Sequence, residues 1–169
     1  MIRPVVRKLF LILVCLYFGP FVSGSGPCDD AKFHEFDFWI GNWSVANADG
    51  TIAGQNSISV EQGGCVLIET WKGAQGGTGQ SMNYFDTFLN SWRQLWISPG
   101  VQIDYHGGLV DGSMHLVGRI HYITNDDEFP FRGTWTLLPD GRVRQFFEES
   151  REEGKWKTWF EGFYTAAEN

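Results

Sequence analysis

"SMNYFDTFLNSWRQLWISPGVQIDYH", residues 81–106, decides the fold. Three short segments in it, Ser81–Phe85, Trp92–Ile97 and Val101–His106, alternate polar and apolar side chains. Between them stand the turn dipeptides Asn90-Ser91 and Pro99-Gly100. Alternation is the period of a strand, whose successive side chains point to opposite faces. Breaks this short leave no room for a crossover helix, so consecutive strands must pair as antiparallel hairpins.

The same pattern runs outward in both directions. Turn signals recur at Asp49-Gly50, Gly63-Gly64, Gly76-Gly77, Asp111-Gly112, Asp126-Asp127, Asp140-Gly141 and Glu153-Gly154. The segments between them include "WSVANA", "IAGQNSISV", "CVLIETW", "MHLVGRIHYI", "FRGTWTLL", "RVRQFFEES" and "KWKTWFEGFY". With the opening three they make about ten strands. The only helical signal is a short one over Ala31–Phe36. An open meander of this length would leave two bare edges and one uncovered face. Closing it removes the edges and buries a face. The expected fold is therefore all-β: an up-and-down antiparallel barrel of about ten strands with a short N-terminal helix. A two-sheet sandwich is the alternative, and hairpin-only connectivity favours the barrel. About ten strands enclose more space than side chains easily fill, so a cavity is expected, lined in large part by the eight tryptophans.

The beginning of the chain has a different character. Arg3, Arg7 and Lys8 precede the apolar run Leu9–Phe18, and Gly19-Pro20 and small residues follow. That order predicts a secretory signal peptide over residues 1–26, the apolar run being short for a membrane span. An uncleaved anchor is the competing reading, and Pro27 argues against lipidation of Cys28. Residues 27–42 then form an arm with the short helix, and 43–165 form the barrel. Beyond residue 26 the chain carries 10 basic and 20 acidic side chains. So acidic a domain suits neither nucleic acid nor an anionic membrane surface as partner. Cys15 leaves with the leader, and the remaining pair, Cys28 and Cys65, is expected to be a disulfide in an oxidising compartment. Asn42-Trp43-Ser44 is a glycosylation sequon, placing a candidate acceptor at Asn42.

Gly41-Asn42-Trp43, at the head of the first strand, resembles the Gly-x-Trp signature that opens lipocalin barrels. In that family an arginine near the last strand packs over the tryptophan, and "FEGFYTAAEN" offers none. A longer likeness covers nearly all of the mature chain: "FDFWIGNW", "GCVLIETW", "SMNYFD", "WRQLWI", "FRGTWT", "DGRVRQFFEES" and "WKTWFEGFY". Together these resemble a mostly bacterial family of uncharacterised secreted proteins that begin with Phe-Asp-Phe-Trp-x-Gly-x-Trp. The resemblance implies a lipocalin-like barrel and no particular activity.

Several alternating faces carry polar groups among aromatics. Leu67, Glu69 and Trp71 share one; Ser81, Asn83 and Phe85 another; Trp92, Gln94 and Trp96 a third. Further faces are Gln102, Asp104 and His106; Arg132, Thr134 and Thr136; and Val143, Gln145, Phe147 and Glu149. With the tryptophan-bearing faces inward, Glu69 and Gln94 lie inside, and Arg132 or Arg144 is the available countercharge. The set reads as a satisfied structural network, as the polar end of a ligand pocket, or as a site with a catalytic carboxyl. The ligand-contact candidates are Glu69, Trp71, Asn83, Gln94, Trp96, Arg132 and Gln145. Catalytic candidates are Glu69, whose burial among aromatics would raise its pKa, and the pair Asp104 and His106.

Other chemistry finds little support in the sequence. His115 and His121 are six residues apart on one strand, roughly 20 Å, too far to share a metal. There is no Gly-x-Ser-x-Gly, and "GAQGGTGQS" lacks the helix and lysine of a phosphate loop, reading instead as a hairpin loop at the barrel mouth. No metal and no cofactor is expected. The expected function is a secreted binding protein for a small apolar or amphipathic molecule. The alternative is a cofactor-independent isomerase, cyclase or hydrolase.

Overall fold

A computed structural model describes residues 26–167. The expected leader lies outside the described residues but for Gly26. Ten strands follow one another: β1 Gly41–Asn47, β2 Ile52–Glu61, β3 Val66–Gly73, β4 Thr78–Asp86, β5 Ser91–Ser98, β6 Val101–Val110, β7 Ser113–Tyr122, β8 Asp127–Leu137, β9 Val143–Glu152 and β10 Lys155–Ala166. Each pairs antiparallel with the next, and β1 pairs with β10, so the sheet is a closed up-and-down barrel. The turn residues explain the sharp reversals. Asp111 and Gly112, at φ 49° and 77°, form the two-residue link between β6 and β7, the backbone sense that matches the twist of a hairpin.

The seam between β1 and β10 runs from Trp43 opposite Ala166 to Asn47 opposite Gly162. A backbone bond from Ala167 N–H to the Asn42 carbonyl, 2.9 Å long, extends it. Alternation holds along most strands, sending one face inward. Trp43 and Val45 on β1, Leu67 and Glu69 on β3, and Trp92 and Gln94 on β5 are all buried. β10 departs from it. Its register against β9 shifts between Thr158 and Phe160, and both Trp159 and Phe160 consequently border the interior.

The arm closes one end. It makes two short 3-10 turns, Ala31–His34, within the stretch where the sequence predicts a short helix, and Asp37–Trp39 just beyond it. Asp30 caps the first through its side chain on Lys32 N–H. Phe36 and Trp39 are fully buried and stack at 5.0 Å between ring centroids. Phe36 also meets Trp92 and Trp135 edge-on, at 5.6 and 5.3 Å. The Trp43 indole donates to the Trp39 carbonyl at 2.9 Å, tying the plug to the first strand. Burying rings of this size contributes about 2–3 kcal/mol each. Cys28 and Cys65 are joined as a disulfide, with Cα atoms 5.1 Å apart, which anchors the arm beside the start of β3.

Candidate functional site

Above the plug the interior changes from apolar to polar. Asn56 on β2, Glu69 on β3, Ser81 and Asn83 on β4, Gln94 on β5 and Gln145 on β9 are all buried. Tyr105 on β6 and Tyr164 on β10 complete the belt. The hydrogen bonds run continuously from one group to the next. Tyr164 donates its hydroxyl to Gln145 Oε1 at 2.5 Å and accepts from Asn56 Nδ2 at 3.3 Å. Asn56 Nδ2 also donates to Glu69 Oε1 at 2.7 Å. Ser81 donates to Glu69 Oε2 at 2.6 Å and accepts from Asn83 Nδ2 at 2.9 Å. Asn83 Oδ1 accepts from Gln94 Nε2, and Gln94 Oε1 accepts from the Tyr105 hydroxyl.

A cavity of about 140 Å³ sits on this belt. Its floor is Glu69, Gln94, Tyr105, Gln145 and Tyr164. Its walls are Trp71, Trp96, Ile103, Phe147, Trp159 and Phe160. It opens at the end opposite the plug, among the hairpins that join β1 to β2, β3 to β4, β5 to β6, β7 to β8 and β9 to β10. "GAQGGTGQS" lies at this rim, as its sequence suggests, supplying the β3–β4 turn and the start of β4.

Glycines set the shape of the walls. A Cβ on Gly79 would stand 2.1 Å from the Trp96 ring, and one on Gly54 would stand 2.8 Å from the Trp71 ring. The two indoles therefore lie against backbone that no larger residue could occupy. Trp159 is held by its indole N–H, which donates to the Tyr122 hydroxyl at 3.0 Å. That hydroxyl in turn donates to Glu149 Oε2 at 2.7 Å.

Glu69 is the chemically distinctive member. Burial pushes its carboxyl up to about 7 from an ordinary 4.5, while the bonds from Ser81 and Asn56 pull the other way. Tyr105 and Tyr164 are pushed well above 10 by burial and then by the nearby Glu69 charge, so both stay protonated at neutral pH. Among the described residues these three are the ionisable groups at the floor.

The structure brings Glu69, Trp71, Gln94, Trp96 and Gln145 together around the cavity. Asn83 faces inward but lies beneath them, fully buried inside the network. Arg132 is a correction. The inward side chains of β8 are Phe131 and Trp135, with Gly133 between them, so Arg132 points out. There it bonds Glu148 at 2.7 Å and lies 4.2 Å from the Trp156 ring centre. Arg144 is likewise outside, paired with Glu161. Glu69 thus has no cationic partner among the described residues. Asp104 and His106 are a second correction. Ile103 and Tyr105 take the inward positions of β6, leaving that pair exposed, with Asp104 bound to Arg93.

Sequence reasoning missed Asn56, Tyr105, Tyr164, Trp159 and Phe160 as site residues. For Asn56 the signal was present, since it stands between Gly54 and Ile58 on the apolar side of its strand. Asn42 is exposed on β1, where its Oδ1 accepts from the Ser57 hydroxyl at 2.8 Å. Among the described residues no three His, Cys, Asp or Glu side chains are grouped to hold a metal ion. No protein-family model matches the chain, and no curated protein matches it.

Proposed function

We propose that the protein is a small-molecule carrier or sensor that works outside the cytoplasm. It holds a largely apolar molecule inside the barrel and fixes that molecule's polar end on the Glu69 floor. The observation that carries this reading is the segregation of the cavity: aromatic and aliphatic walls above, one carboxyl, two amides and two phenols below. Apolar walls with a few convergent polar groups are the usual makeup of a ligand pocket. An engineered cavity of about 150 Å³ admits benzene, so this one suits a single ring or a short chain, with anything longer projecting between the hairpins. The Cys28–Cys65 disulfide supports an oxidising location. Among the described residues no helix is long and apolar enough to cross a membrane.

Titration of tryptophan fluorescence with benzyl alcohol and short alkyl alcohols tests the pocket, because Trp71, Trp96 and Trp159 line it. Saturable quenching is expected. Mass spectrometry under native conditions, on protein purified from its source, should also show a retained small molecule. No response to any probe and no retained mass would refute the reading.

One observation favours a second reading, acid–base catalysis on the bound molecule. A carboxyl at about 7 inside a cavity is poised to exchange a proton at neutral pH. Turnover of a candidate substrate that survives Glu69→Gln would dispose of that role.

A further inference from the structure

Among the described residues the cavity offers its occupant one ionisable carboxyl and no countercharge. Resting on the ligand-binding reading above, we propose that the molecule held is an organic amine. It binds as its ammonium ion, with the nitrogen at Glu69 and its ring or chain between Trp71, Trp96, Phe147 and Phe160.

Four observations converge on this. First, Glu69 is 3% exposed, and the ion pairs of the described residues leave it out. A buried carboxylate without a cation is costly, and a ligand ammonium supplies the missing charge. Second, the neighbours of Glu69 are arranged for its ionised form. Asn56 and Ser81 both donate to it, and Asn83 in turn donates to the Ser81 hydroxyl. A carboxylate has about four acceptor sites, so each oxygen keeps room for a further donor.

Third, the walls are aromatic, and the faces of tryptophan and phenylalanine attract cations. They offset part of the cost of drawing an ammonium out of water. Fourth, the phenolic protons are already spent: Tyr105 donates to Gln94 and Tyr164 to Gln145. Neither is free to favour an anion, and an anion would in addition meet the Glu69 charge and a chain of net charge −7. A neutral alcohol would gain one hydrogen bond and leave the carboxylate uncompensated.

The groups facing Glu69 from the surrounding strands are Asn56, Ser81, Gln94, Tyr105, Gln145 and Tyr164. Only the two tyrosines among them titrate, and both stay protonated well above neutral pH. Ammonium binding therefore follows the ionisation of Glu69 alone. Affinity should fall by about tenfold per pH unit once the free carboxyl is mostly protonated.

The experiment is calorimetric titration of the disulfide-bonded protein with benzylamine and with benzyl alcohol, probes of equal size, at pH 8 and pH 5. At pH 8 the amine should bind at least about tenfold tighter, the range of a hydrogen bond to a charged group. At pH 5 that advantage should vanish while the alcohol binds unchanged. Glu69→Gln should abolish the amine's advantage over the alcohol at pH 8. Equal affinities at pH 8, or a ratio that is the same at both pH values, would overturn the amine proposal and leave the pocket standing. Binding of neither probe would overturn both. The two-pH comparison needs only the native protein, so the answer does not depend on the variant folding.

Discussion

Ser81 and Glu69 are direct cross-strand partners on β4 and β3, and the Ser81 hydroxyl donates to Glu69 Oε2 at 2.6 Å. That bond stabilises the carboxylate against the burial that opposes it. Ser81→Ala should therefore push the Glu69 carboxyl higher than about 7. Carboxyl-carbon NMR titration of labelled protein measures this directly. An unchanged or lowered midpoint would show that the hydroxyl does not stabilise the charge.

The same carboxyl imposes an unusual pH dependence on stability. In the unfolded chain it ionises near its ordinary 4.5, and in the folded barrel only near 7. Between those values the folded state holds more protons than the unfolded one, so this group's contribution to stability falls as pH rises through the window. The loss is roughly 3 kcal/mol in total, and it is complete above pH 7. An ordinary salt-bridged carboxylate behaves in the opposite sense. Glu69→Gln, which removes the titration and keeps the shape, should flatten the difference between stability at pH 4.5 and at pH 8 in urea denaturation. A variant whose curve still follows the wild type would assign the effect elsewhere.

Gly79 should be intolerant of the smallest side chain. Its added Cβ would stand 2.1 Å from the Trp96 ring, whereas a Cβ on nearby Gly77 meets nothing within 4 Å. Gly79→Ala should cost about 1–3 kcal/mol and displace Trp96 into the cavity, weakening binding of benzyl alcohol. Gly77→Ala is the control and should be close to neutral. Thermal denaturation and fluorescence titration of the two variants, side by side, distinguish a steric effect at Trp96 from a general effect of altering the loop.

The arm contributes through its rings and through its crosslink. Phe36 is fully buried against Trp39, Trp92 and Trp135, and Phe36→Ala should cost about 3–5 kcal/mol. The disulfide spans 37 residues, and replacing both cysteines by alanine should cost about 3–4 kcal/mol in the chain-entropy account. Both changes loosen the same segment, so their costs should add to less than the sum. Full additivity in chemical denaturation would mean that the plug stays seated without its tether.

The barrel was legible because its two determinants are local. Side-chain alternation and turn residues such as Asp111-Gly112 can be read within a few positions, and closure follows from the lack of helices to cover an open sheet. The site was legible where an aromatic residue marked the inward face, at Trp71 for Glu69, at Trp92 and Trp96 for Gln94, and at Phe147 for Gln145. For Arg132 the sequence offers only the countercharge argument, that a buried Glu69 calls for a cation. The packing of Phe131 and Trp135 settled that strand the other way, and Glu69 was left unpaired. On β6 the polar positions Asp104 and His106 drew attention away from Tyr105 between them. Trp159 was beyond reach for another reason: a register shift against β9 is a property of two strands at once, and strict alternation along β10 alone cannot reveal it.

The pairing of β1 with β10 has a consequence for how the molecule is made. Every other ladder joins neighbours in the chain and can form as each hairpin emerges, but this one joins Trp43 to Ala166. Until β10 arrives, β1 presents a free edge and the Phe36–Trp39 lid has no complete rim to close on. Non-local closure of this kind is slow, because the entropy of the intervening loop must be lost before contacts reward it. The final step of folding should therefore be the sealing of one seam. The interval before it, with strand edges bare and tryptophans unshielded, is when the chain is most open to association with other copies of itself.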